Sequence, residues 1–216
     1  MRANFISNMD KLNISVVEMF EVVRKQCILS MKALKDGDIE LSYDVIKLDD
    51  KTDMLMGEIE EKVIELMALQ NPMSKDLRTL FAISKIVTDL ERVGDFSVNI
   101  CKKVIEMKGE KLFKPLIDIP KMNDQIIIML DLTKEAFINK SKKEAFKAGE
   151  MDEIVDDLYE LVYSEILLKI NENVKNIDQG TKLLFIGRYL ERMADHITNI
   201  CERIIYIISG DILEIN

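Results

Sequence analysis

The sequence predicts an all-α protein in which six long helices form two tandem, duplicated three-helix bundles. Three observations carry this expectation. Apolar residues recur with a 3.6-residue period along almost the whole chain. No segment alternates at period two for long enough to make a strand, and the nearest candidate, "IIIML" from Ile126, lies inside a helical pattern. Finally, "DLERVGDFSVNIC", from Asp89 to Cys101, returns one hundred residues later as "YLERMADHITNIC", from Tyr189 to Cys201.

Glycine and proline punctuate the helical pattern. Gly37, Gly109, Gly149, Gly180 and Gly210 each follow a long periodic stretch, and Pro72, Pro115 and Pro120 fall at or between such stretches. The first helix is expected over roughly residues 3 to 36 and the second over roughly 39 to 70. Asn71 and Pro72 then offer an N-cap and a first-turn proline for the third, over roughly 73 to 108. The fourth is expected over roughly 117 to 148, the fifth over roughly 150 to 174 and the sixth over roughly 178 to 208. Helices of this length span on the order of 40 to 50 Å, and short connections make neighbours antiparallel. "KGEKLFKPLIDIP", from Lys108 to Pro120, is long and proline-rich enough to separate two units, 1–112 and 113–216. Between Leu90–Met107 and Leu190–Ile207, 8 of 18 positions are identical, against about one for unrelated sequences of average composition.

Composition narrows the function classes. At 216 residues and 48% hydrophobic content the chain holds a sizeable core, which excludes disorder. A formal net charge of -9, with 30 basic residues scattered among 39 acids, argues against nucleic acid as partner and favours cations. Asp10 and Lys11 stand where a signal peptide needs its apolar core, so a cytoplasmic protein is expected. Cys27, Cys101 and Cys201 show no CxxC spacing and read as buried free thiols.

The repeated acids are the chemically informative feature. Glu91 and Asp95 recur as Glu191 and Asp195, while Asp49 and Asp53 recur as Asp152 and Asp156 on the preceding helix. At 100° per residue, all four pairs lie on the shoulder of the apolar arc of their own helix. Folding the second helix against the third about Pro72 brings Asp49 and Asp53 level with Asp95 and Glu91. The second half repeats the arrangement about "NENVKNIDQG". Each half is therefore expected to gather four carboxylates, whose mutual repulsion of about 1 kcal/mol or more per pair calls for bound cations. Oxygen ligands suit Mg, Mn and Fe, with Zn possible.

The rest of the motif has simpler readings. Asn99 and Asn199 continue the acidic stripe, either as further oxygen ligands or as surface residues. Arg92 and Arg192 are placed to form ion pairs that orient the acids. His196 faces away from the stripe and corresponds to Phe96 in the first half, so packing or surface exposure is expected of it. A ferritin-like di-iron oxidase would use Glu-x-x-His on two helices, and the chain has no such motif. No phosphate-binding glycine loop and no nucleophile triad occur either.

"LERVGDFSVNI" and "LERMADHITNI", with "LDDKTDML", "EEKVIELMALQNPMSKDLR" and "MDEIVDDLYE", resemble the phosphate-uptake regulator (PhoU) family over nearly the whole chain. The resemblance implies two tandem three-helix bundles and multinuclear metal clusters, Fe or Zn foremost and Mn or Mg as alternatives. The implied ligands are Asp49, Asp53, Glu91 and Asp95, then Asp152, Asp156, Glu191 and Asp195. The sequence departs from the family at Asp49 and Asp152, where Glu is common. A non-enzymatic regulator is implied, one that damps phosphate import and starvation signalling through the ATPase subunit of a phosphate ABC transporter and a sensor histidine kinase. Long amphipathic helices also suit a homodimer. Two other roles remain open at this point: an accessory protein of a low-affinity phosphate permease, or a carboxylate-bridged metal-dependent hydrolase or oxidase.

Overall fold

The computed structural model describes residues 2–69 and 72–215, and among these there is no strand. Helix α1 spans Arg2–Asp36, α2 Ile39–Leu69, α3 Ser74–Glu106, α4 Asp118–Asn139, α5 Lys142–Gly149, α6 Asp152–Glu172 and α7 Ile177–Ser209. A single 3-10 turn over Val174–Asn176 leads into α7. Asn71, expected to cap the third helix, lies outside the described residues. Pro72 precedes α3 and is not in its first turn, because the cap position is Met73, whose N–H donates to the Asp76 carboxylate at 3.2 Å.

The expected helices 117–148 and 150–174 are drawn differently by the structure. The chain turns at Lys140, whose φ of 51° and ψ of 47° are left-handed, and Ser141 then caps α5 by accepting from the Glu144 N–H at 3.3 Å. Gly149 is the last residue of α5, so it ends this short helix and not the long one expected. Glu150 and Met151 keep right-handed helical dihedrals, so α5 continues into α6 as one interrupted rod. The offset that relates Asp49 to Asp152 carries Gly37 onto Lys140, Asp38 onto Ser141, and α2 onto α5 plus α6. Gly37 is left-handed like Lys140, and Asp38 caps α2 through the Leu41 N–H at 2.9 Å as Ser141 caps α5. The duplication thus extends to the turns. Gly149 is explained by a distant contact, since a Cβ there would lie 2.7 Å from the Ile215 side chain of the C-terminal segment. Gly180, also expected at a helix end, sits inside α7, where a Cβ would come within 2.9 Å of Ile170.

Packing follows from the apolar stripes. Leu80, Ile83, Ile86, Val87, Leu90 and Val93 of α3 are fully buried, as are Leu183, Ile186, Leu190, Met193 and Ile197 of α7. Each such side chain contributes about 1.5–3 kcal/mol relative to exposure. They belong to one hydrophobic cluster that runs through α1–α3 and α4–α7 alike. Helices α3 and α7 cross antiparallel, because Asp89 meets His196 while Phe96 meets Tyr189. These two contacts are equivalent by the internal repeat, one polar and one aromatic. His196 also packs on Phe96, its own counterpart, with ring centroids 5.8 Å apart. Between α1 and α4, Arg24 holds Asp131 with two hydrogen bonds of 2.8 and 3.0 Å, and Phe20 packs on Phe137.

Candidate metal centres

Except for Asp152, the acids lie at the edges of the buried faces of their helices. On α3, the Glu91 side chain is 14% exposed and Asp95 38%, and on α7 Glu191 is 13% exposed and Asp195 42%. Each Glu is therefore drawn toward the core while its Asp reaches solvent. Asp49 is half-buried on α2, and Asp53 one turn later is exposed. On α6, Asp156 is exposed, whereas Asp152 is only 5% exposed.

Electrostatics shows which acids share a neighbourhood. Partial burial is the main cause that raises the pKa of Asp49, and repulsion from Asp53 and Asp95 adds to it, against a hydrogen bond from Gln26. Glu91 is raised by burial and by Asp95, Asp53 and Asp49, with Arg92 opposing. In the second half, Asp156 is raised by burial and by Asp195. Glu191 is raised by burial, Asp195 and Asp156. The structure thus brings together Asp49, Asp53, Glu91 and Asp95 on one side, and Asp156, Glu191 and Asp195 on the other. Asp152 lies deeper, close enough to Cys201 to add to the burial that pushes its thiol up to about 12. Cys27 and Cys101 are likewise buried free thiols, raised to about 11 and 12 by burial, which leaves all three inert at neutral pH.

Ion pairs fix the outer acids. Arg92 donates to Asp95 at 2.7 Å and stands 3.4 Å from Glu91, Arg192 lies 3.7 Å from Asp195, and Arg188 donates to Glu191. As they stand, no three His, Cys, Asp or Glu side chains among the described residues converge into a set able to hold an ion. The donor chemistry nevertheless fits hard cations. Glu91 Oε2 and Glu191 Oε2, at equivalent positions of the repeat, are both shielded from solvent without a hydrogen-bond partner. Asn99 is half-buried beside the first group and Asn199 is exposed.

Sequence reasoning passed over Gln26 of α1. It is fully buried, and its Nε2 donates to Asp49 Oδ1 at 2.8 Å while its Oε1 accepts from Thr52 Oγ1 at 2.9 Å. The available signal was an amide at a core phase of the first helix, between Val23 and Ser30.

The sequence profile of the PhoU domain matches this chain twice, over residues 16–104 and 119–204. The chain belongs to the PhoU family. Among PhoU relatives, the "phosphate-specific transport system accessory protein PhoU homolog" of Clostridium acetobutylicum is 36% identical over 216 residues, covering 100% of this chain and 99% of that one. The homologue from Aquifex aeolicus is 34% identical over 199 residues, which is 92% of this chain and 90% of the relative. Among solved structures, PhoU from Pseudomonas aeruginosa superposes with a TM-score of 0.92 at 26% identity, covering 96% of this chain and 100% of the other. The phosphate transport system regulatory protein PhoU from Streptococcus pneumoniae gives 0.89 at 28% identity, covering 97% and 99%. No helix among the described residues is long and apolar enough to cross a membrane.

Proposed function

We propose that this PhoU-family chain is a non-enzymatic, metal-binding regulator that restrains phosphate uptake and phosphate-starvation signalling from the cytoplasmic side. Its partners in this reading are the ATPase subunit of a phosphate ABC transporter, a sensor histidine kinase and a second copy of itself. Family membership and the phosphate-transport names of relatives across the full chain length support the transport role. The observation that carries the metal role is the duplicated carboxylate group, with a shielded Glu oxygen that accepts no hydrogen bond at the same place in each half. Asp49, Asp53, Glu91 and Asp95 would hold one centre, and Asp152, Asp156, Glu191 and Asp195 the other. Iron or zinc suits these oxygen-rich sets, with manganese or magnesium as alternatives. Bound ions would supply positive charge that offsets the repulsion among the acids and ties α2 to α3 and α6 to α7. The two matched segments, 16–104 and 119–204, support a division into units 1–112 and 113–216.

The test is genetic. A host whose only copy carries Glu91→Ala, Asp95→Ala, Glu191→Ala and Asp195→Ala is compared with wild type in high phosphate. Elevated phosphate-starvation gene expression and unrestrained phosphate uptake are expected in the variant. Wild-type levels of both, with the variant folded and present at normal abundance, would refute the regulatory role of the carboxylates.

A further inference from the structure

The seam between α3 and α7 carries different charges at its two ends. The contacts of Asp89 with His196 and of Phe96 with Tyr189 fix its register, which puts Ala82 level with Arg203 and Lys103 level with Lys182. At the end marked by Lys103 and Lys182 the charges balance. Lys103 holds Glu106 at 2.8 Å and lies 5.6 Å from the centroid of the Phe185 ring, and Lys182 pairs with Asp178.

The internal repeat carries this group onto the other end, where both acids are gone. Tyr206 stands where the repeat has Glu106, Arg78 where it has Asp178, and Lys85 where it has Phe185, while Lys103 becomes Arg203. Among the described residues Arg78, Lys85 and Arg203 form no ion pair, although acids outnumber bases 39 to 30 in this chain. Two aromatic rings set the cations in place. The Arg78 guanidinium carbon lies 5.7 Å from the centroid of Tyr206, and Lys85 Nζ lies 5.8 Å from that of Phe81, which is 50% exposed. A Cβ at Gly210 would collide with Arg78, so that glycine leaves room for the guanidinium at the end of α7. At 100° per residue, Arg78, Phe81 and Lys85 share an arc of about 60° on α3, as do Arg203, Tyr206 and Gly210 on α7. Arg78 Nε and Arg203 Nε are each shielded from solvent without a hydrogen-bond acceptor, a condition that few donors in a folded protein tolerate.

We infer that this end of the seam is an anion site for a phosphoryl dianion, the group shared by inorganic phosphate and phosphate monoesters. Arginine is always charged, its planar fork matches two oxygens of such a group, and Lys85 adds positive charge from the rim. A turn of each guanidinium about its terminal bonds would aim Nε–H and an Nη–H at one oxyanion. Bound there, the dianion would bridge α3 of the first half to α7 of the second. The exposed ring of Phe81 would give an attached base a surface to stack on. The site uses none of the eight paired acids and does not depend on the metal reading.

Equilibrium dialysis of metal-stripped, full-length protein against labelled inorganic phosphate or adenosine monophosphate tests this at low ionic strength. Wild type is expected to bind one equivalent. Arg78→Gln with Arg203→Gln, and separately Tyr206→Glu, which restores the acid of the other end, should each weaken binding at least about tenfold. Lys85→Glu alters an exposed side chain and should weaken binding by about tenfold, which decides the matter if the other variants fail to fold. Phosphate binding as tightly as the nucleotide would make the phosphoryl group the whole determinant. Tighter binding of the nucleotide, lost in Phe81→Ala, would add the stacked base, and either result upholds the site. No bound ligand at millimolar concentration, or unchanged binding in the folded variants, would overturn it.

Discussion

Phe20→Ala is expected to lower the unfolding free energy by about 3–5 kcal/mol, the cost of emptying a fully buried aromatic site. At roughly 2–4 °C per kcal/mol for a chain of this size, the melting temperature should fall by about 6–20 °C. The effect is not confined to the first half. Phe20 packs on Phe137 of α4, next to the Arg24–Asp131 pair, within a cluster continuous across all the helices. Thermal unfolding followed by circular dichroism should therefore show one cooperative transition in both proteins, shifted as a whole in the variant. A second transition left at the wild-type temperature would show that α4–α7 holds together without this contact.

Glu91→Gln combined with Glu191→Gln should make the metal-free protein more stable at neutral pH. Burial and neighbouring acids raise both groups above the ordinary carboxylate range. A raised folded pKa means that the folded state binds protons more tightly than the unfolded one. Stability is then greatest below the unfolded value of about 4.3 and declines as pH rises through the raised folded values. Glutamine keeps the shape and removes the charge. The double variant should melt higher than wild type at pH 7.5 without metal, with the difference vanishing near pH 4. Metal is expected to invert the ranking. At one hundred times the dissociation constant, a bound ion stabilises by about 2.7 kcal/mol per site, a rise of roughly 5–11 °C. Wild type should gain this with Mn(II) or Zn(II) and the variant should gain much less. A variant that melts lower at pH 7.5 without metal would contradict the electrostatic origin of the raised values.

Much of this structure was legible in the chain, and the gaps have physical causes. Helical phase placed the acids at the edges of the buried faces except Asp152, which is buried, because a 3.6-residue period is a local property while depth depends on the neighbouring helices. The levels of Asp49 and Asp53 against Glu91 and Asp95 followed from a hairpin centred on Pro72. The fourth helix was drawn too long because its turn is made by Lys140, a residue type that rarely adopts left-handed dihedrals, while the stop at Gly149 ends only the short α5. That glycine answers to Ile215, 66 residues away in sequence, and no local rule reports such a contact. Gln26 was missed for a similar reason. Its partners lie on α2, and only the fold shows that an amide in the apolar stripe of α1 reaches Asp49. His196 was read correctly as no part of the acidic stripe, yet its bond to Asp89 at 2.9 Å joins the two halves and lay beyond any pattern within one helix.

The central claim, that the duplicated acids hold metal, is tested most directly by elemental mass spectrometry of tagless protein. Wild type is measured beside the Glu91→Ala, Asp95→Ala, Glu191→Ala, Asp195→Ala variant after loading both with Fe, Mn, Zn and Mg. Stoichiometric metal in wild type and its loss from a folded variant is the expected result. Equal and negligible metal in the two proteins would contradict the claim.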